Sequence, residues 1–176
     1  MDIASLIRVI DARPRTFDWD AIAEGWGRTP PADYIDFMHA VGPGNLGDYM
    51  SIKAPTADLG DDGEFAMAIA TQGAQLAWKS GNFPKAGRLA DAEPRLLCWA
   101  VSDDANQYCW DLADDSMPII VFDRGFLEWT AYDLSFTDFV VGMIQDSIPN
   151  YAGDQIASEL GWQVPVTYKV HKRDHW

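Results

Sequence analysis

The sequence predicts a single α+β domain, with helices before and after an antiparallel meander. Three observations point there. The chain has 176 residues, 48 % of them apolar, enough to bury a core as one unit. Apolar residues recur at helical spacing near both ends. Between residues 96 and 132 lie short aromatic and branched runs, separated by turn-forming residues.

Ile3, Leu6, Ile7 and Ile10 share helical spacing, so residues 2–12 read as an opening helix ended by Arg13-Pro14-Arg15. Asp18 is placed to cap a second short helix that carries Trp19, Ile22, Ala23 and Trp26 and closes near Gly25 or Gly27. Residues 29–47 then read as a helix with a clear start and stop, leading into a glycine-rich turn. Thr29 is the expected N-cap, and Pro30 suits the first helical position, where no N–H is needed. Tyr34, Phe37, Met38 and Val41 form one apolar stripe, after which Gly42 and Pro43 stop the helix.

Residues 48–52 read as a first strand, and residues 54–63, rich in Pro, Asp and Gly, as a loop. The alanine-rich residues 65–78 predict a helix, and residues 79–94 an irregular segment broken by Gly81, Pro84 and Gly87. LLCWAV, QYCWDL, PIIVFD and FLEWTAY follow as strands, with turns at residues 103–106, 114–116 and 123–125. Gly125 is expected to supply the positive φ of a three-residue hairpin loop. Ser135 caps a closing helix carrying Phe136, Phe139, Val140, Met143 and Ile144, with Asp138 in its first turn. Beyond Pro149 the sequence predicts a short helix near residues 154–160 and a strand at 164–170.

Charge is the second clue. Thirteen basic against 27 acidic side chains give −14, and up to Gln145 the counts are 10 and 23. Such a field repels nucleic-acid phosphates and anionic membranes. It attracts basic partners, speeding encounter by roughly ten- to a thousand-fold where the charge is focused. Solubility alone also accounts for an acidic chain. No apolar run approaches a membrane span. Asp2, Arg8 and Asp11 interrupt any signal-peptide core, so a cytoplasmic location is expected. Cys98 and Cys109 fall on neighbouring strands, where a cross-strand disulfide is geometrically conceivable; the cytoplasmic setting favours two reduced, buried thiols.

Four ordered stretches carry a family likeness: residues 29–47, LLCWAVSDDANQYCWDL (96–112), PIIVFDRG (118–125) and LSFTDFVVGMI (134–144). Together they resemble the SUKH superfamily, the Smi/Knr-type domain. The likeness covers residues 16–145 as a core and leaves 146–176 as a C-terminal extension within one domain. The family often has glycine in its acidic turn, where this chain has Asn106 and Gln107; Asn also adopts the left-handed conformation. The resemblance implies helices packed on one antiparallel sheet and a role in binding proteins. Many bacterial members are immunity proteins that neutralise a cognate toxin, others are regulators or scaffolds, and the family is not known for catalysis.

The residues themselves give little sign of chemistry. His39, His171 and His175 are the histidines, and no GxSxG, Walker or GxGxxG pattern occurs. His39 is expected at the edge of the core. His171 and His175 have the spacing of metal ligands on a helix, but they lie in a basic terminal tail. Residues 58–63 mimic the start of an EF-hand loop, yet Gly60 and Ile69 stand where ligands are needed. No cofactor and no metal are expected. Asp103, Asp104, Asp111, Asp114, Asp115 and Asp123 are either solvated turns, a cation-seeking binding edge, or paired carboxylates for acid–base work. Of the eight Trp, Trp99, Trp110 and Trp129 lie on strands; most are expected in the core, and any facing outward are interface anchors.

The expectation is a non-catalytic immunity-type domain that occludes the basic active site of a toxin such as a nuclease domain. Asp48, Tyr49, Asp103, Asp104, Asn106, Asp111 and Asp123 are the expected partner-binding residues. A regulatory or scaffolding domain with an endogenous partner is the alternative. A small hydrolase using paired carboxylates is the third class.

Overall fold

The computed structural model describes residues 3–10, 15–57, 67–148 and 156–171. Its opening segment corrects the sequence reading. Ile3–Ser5 is one 3-10 turn and Ile7–Ile10 is a strand, β1, where a helix was expected. A helix of that length is marginal by itself, and Ile7, Val9 and Ile10 are branched residues that suit a strand. Residues 2 and 11–14 lie outside the described residues.

Asp18 accepts the Ala21 N–H at 3.0 Å and Gly27, at φ 65°, closes Trp19–Trp26 (α1), as expected. The next helix, Ala32–Ala40 (α2), starts later than Thr29. Each proline pushes its predecessor out of the helical region, so neither Thr29 nor Pro30 can begin the helix. Pro31 takes the N-cap position, with no side chain to cap. Asp33 in the first turn accepts the N–H of Tyr34 at 3.0 Å and of Thr137 at 2.7 Å, tying this helix to the last long one. The stripe of Tyr34, Phe37, Met38 and Val41 is buried as expected.

Gly44–Leu46 (β2) is a strand absent from the sequence reading, and Met50–Ile52 (β3) is shorter than expected. They form a hairpin whose turn residues Gly47 and Asp48 both have positive φ, 59° and 56°. A side chain at position 47 would place its Cβ 2.3 Å from the Trp162 ring, so the turn has room only for glycine.

Met67–Lys79 (α3) occupies most of the expected helix; Phe65 and residue 66 lie outside the described residues, as does 58–63. The meander is present as Leu96–Ser102 (β4), Gln107–Asp111 (β5), Ile119–Asp123 (β6) and Glu128–Tyr132 (β7). Ser135 accepts the Asp138 N–H and opens Phe136–Ile144 (α4). Ile156–Glu159 (α5) and Val166–Val170 (β8) follow.

Among the described residues eight strands join one sheet, in the order β1-β8-β2-β3-β4-β5-β6-β7. Among the described residues β1 and β8 are parallel and the other neighbours antiparallel. The predicted α+β class is therefore observed. The C-terminal stretch contributes a strand to the sheet itself, because β8 lies between β1 and β2.

Both faces of the meander are covered, which explains strands with almost no polar positions. On one face Trp26, Tyr34, Phe37, Phe136, Phe139 and Met143 pack on Leu97, Trp99, Tyr108, Trp110 and Tyr168. On the other, Ala74 and Trp78 of α3 cover Cys98, Cys109, Ile120, Phe122 and Trp129. Burying each large side chain contributes roughly 1.5–3 kcal/mol. Edge-to-face contacts such as Tyr34–Trp110, centroids 4.9 Å apart, add about 0.5–1.5 kcal/mol. Trp99, Trp110 and Trp129 all belong to this core and none faces outward.

Candidate functional site: a row of hairpin tips

Antiparallel order places the β2–β3, β4–β5 and β6–β7 turns side by side at one end of the sheet. Hydrogen bonds lock these tips together. The Asp103 N–H donates to the Tyr49 carbonyl at 2.9 Å, joining the first two turns. The Arg124 N–H donates to Asn106 Oδ1 at 2.8 Å, joining the second and third.

Within the β4–β5 turn, Ser102 Oγ accepts the Asn106 N–H at 3.1 Å, and Ala105 takes the left-handed conformation at φ 61°. Asn106 is therefore not the left-handed residue that the sequence suggests. It is buried, and its side chain serves as the brace between turns. Asp123 is also buried and accepts the N–H groups of Gly125 and Phe126 at 2.8 and 2.9 Å. The β6–β7 loop contains four residues, because Asp123 pairs with Glu128, and Leu127 rather than Gly125 carries the positive φ, 56°.

Of the expected partner-binding residues, Asp48, Tyr49, Asp103, Asp104, Asn106 and Asp123 converge on this end. Asp48, Asp103 and Asp104 are the three that present exposed carboxylates. Asp48 also meets Lys169 Nζ at 2.7 Å on the sheet's surface. Tyr49 is buried against Trp162, ring centroids 6.3 Å apart. Burial pushes its phenol above the usual range, a hydrogen bond with Ser102 opposes this, and the nearby Asp104 charge adds to it.

Asp111 belongs to the opposite end of the sheet. Its carboxylate accepts the N–H groups of Arg95 at 2.9 Å and Ala113 at 2.8 Å, a turn-forming role. Asp114 and Asp115 share that end, where Arg28 donates to the Asp114 carbonyl and pairs with the Asp115 carboxylate. Two exposed apolar residues at the tips escaped the sequence reading: Phe126, 66 % exposed, and Leu127, 46 %. They sit inside the run FLEWTAY, whose aromatic character reads as strand; nothing in one sequence separates a tip from a strand start there. Beside Asp48 the row continues into a shallow hollow of about 420 Å³, lined by Arg8, Gly47, Trp162, Val164 and Thr167.

The histidines stand apart from the acidic row. His39 is exposed and accepts the Trp19 indole N–H at 2.7 Å. His171 is buried directly after β8, 3.1 Å from Asn45 Oδ1, and not on a helix; His175 lies outside the described residues. Among the described residues no group of three His, Cys, Asp or Glu stands together as metal ligands, and no helix is long and apolar enough to cross a membrane. Asp103 and Asp104 stand on an exposed turn.

This end of the molecule thus combines hydrogen-bonded turns, exposed carboxylates and two exposed apolar side chains. Comparisons with protein-family models, curated proteins and solved structures give no match for the chain.

Proposed function

We propose that this chain is a non-catalytic protein-binding domain whose row of hairpin tips engages a basic protein partner. The observation that carries the reading is the juxtaposition of Asp48, Asp103 and Asp104 with Phe126 and Leu127 on one braced end. Carboxylates steer a cationic partner and set the rate of encounter. The apolar tip then holds the complex by burying surface.

The partner class that fits best is a toxin domain with a basic active site, which an acidic surface neutralises by covering it. This is the immunity-protein role that the SUKH-like sequence pattern implies. The reading places the protein in the cytoplasm, where the free thiols of Cys98 and Cys109 remain reduced. The test is affinity capture from the native host's lysate at low and high salt. One toxin-like protein at near-equal stoichiometry, lost at high salt, supports the reading. Salt-resistant recovery of housekeeping proteins replaces it with the regulatory or scaffolding role.

A further inference from the structure

Cys98 of β4 and Cys109 of β5 stand directly opposite each other in the strand register. The Leu112 N–H donates to the Arg95 carbonyl, while the Cys98 N–H turns away to Thr71 Oγ1 at 2.9 Å. Counting along the ladder, 95/112 and 97/110 are the hydrogen-bonded pairs, so 98/109 is a non-hydrogen-bonded pair. Cα atoms in such pairs approach to about 4.5 Å, and the side chains lie closest there. That spacing falls inside the window a disulfide requires. Both side chains point to the α3 face, buried in the cluster with Ala74 and Ile120.

We propose that Cys98 and Cys109 form a latent redox site that hydrogen peroxide converts into an intramolecular disulfide. One thiolate attacks a peroxide oxygen; the O–O bond breaks, leaving a sulfenic acid and hydroxide. The facing sulfur displaces the sulfenic hydroxyl, the S–S bond forms, and the displaced hydroxide leaves as water with that thiol's proton. In sum, two thiols and one peroxide give one disulfide and two waters, sulfur being oxidised and peroxide reduced.

The burial of the pair selects the oxidant. Both cysteines are fully buried under α3, out of reach of a bulky disulfide donor, whereas peroxide is about the size of a small solvent molecule. Burial, and then the neighbouring Cys98, push the Cys109 thiol well above its usual range, so the resting state is the dithiol and the reaction is slow. Once formed, the bond staples the two strands whose connecting turn carries Asp103, Asp104 and Asn106. It therefore fixes the acidic tip from within the core, whatever partner the tip meets.

The test treats the full-length folded chain with hydrogen peroxide, blocks remaining thiols with iodoacetamide and reads the intact mass. The expected result is joint loss of both thiols with a mass decrease of about 2 Da, reversed by dithiothreitol. The midpoint of thermal unfolding should rise by roughly 5–10 °C, since the staple constrains the unfolded chain. In Cys109→Val the remaining thiol lacks its resolving partner, so it should yield a sulfenic acid that dimedone traps. Retention of both thiols in the native wild-type chain, or sulfinic acid on one cysteine alone, would overturn the proposal. Those wild-type readouts decide the matter even where the variant fails to fold.

Discussion

Asn106 and Arg124 are joined by a 2.8 Å hydrogen bond from the Arg124 backbone N–H to the Asn106 side chain, and this bond couples the β4–β5 turn to the β6–β7 loop. Asn106 is 5 % exposed, so its amide works in a nearly dry setting. Removing it takes away the side-chain partner of the Arg124 N–H, which lies on an exposed loop. Asn106→Ala should cost about 0.5–1.5 kcal/mol in urea unfolding. Asn106→Asp keeps an acceptor for Arg124 and should cost less at low pH, where its carboxyl is neutral. Equal losses for the two variants would mean that packing, not the bond, matters at this position.

Asp103 and Asp104 carry exposed carboxylates, so reversing them should leave stability within about 0.5 kcal/mol. The double change Asp103→Lys with Asp104→Lys should slow association with a basic partner at low salt and have little effect at high salt. Phe126→Ser should instead speed dissociation, because an apolar anchor acts after encounter. Stopped-flow or surface-based kinetics separate the two. An unchanged association rate for the charge reversal removes this edge from the interface.

Leu127 holds φ 56° while 46 % exposed, a conformation that costs an ordinary side chain roughly 1–2 kcal/mol. Glycine adopts it freely but is more flexible when unfolded. Leu127→Gly should therefore stabilise the fold by about 0.5–1 kcal/mol. If the leucine is kept for binding, the same variant should weaken partner affinity. A stabilised variant with full affinity would leave Leu127 without a role in the contact.

His171 has its pKa lowered to about 4, first by burial and then by the charges of Lys53 and Arg15. Its folded value thus lies below the ordinary value of about 6.5. The unfolded chain binds the proton more readily, so stability present above pH 6.5 is lost as pH falls toward 4. His171→Gln should flatten the acid side of the stability profile in that window. Urea midpoints at closely spaced pH values provide the check, and an unchanged slope would assign the acid response to other groups.

The sequence by itself determined much of this molecule, and always where neighbours in the chain supply the physics. Asp18 capping α1, the buried stripe of α2, the four meander strands and Ser135 opening α4 are local relationships of spacing and capping chemistry. The acidic turns were legible for the same reason, since Asp favours turns whatever lies around it. The tertiary structure decided what depends on distant partners. Ile7–Ile10 became a strand because β8 lies alongside it. Among the acids, strand order brought Asp48 beside Asp103 and Asp104, whereas Asp111 at the far end of β5 follows from the turns that flank that strand. Asn106 and Asp123 turned inward as braces, and Phe126 and Leu127 outward, because the β6–β7 loop takes four residues and is pinned by contacts across the sheet. Spacing along the chain fixes which residues share a face; only the assembled sheet fixes which faces and tips meet solvent.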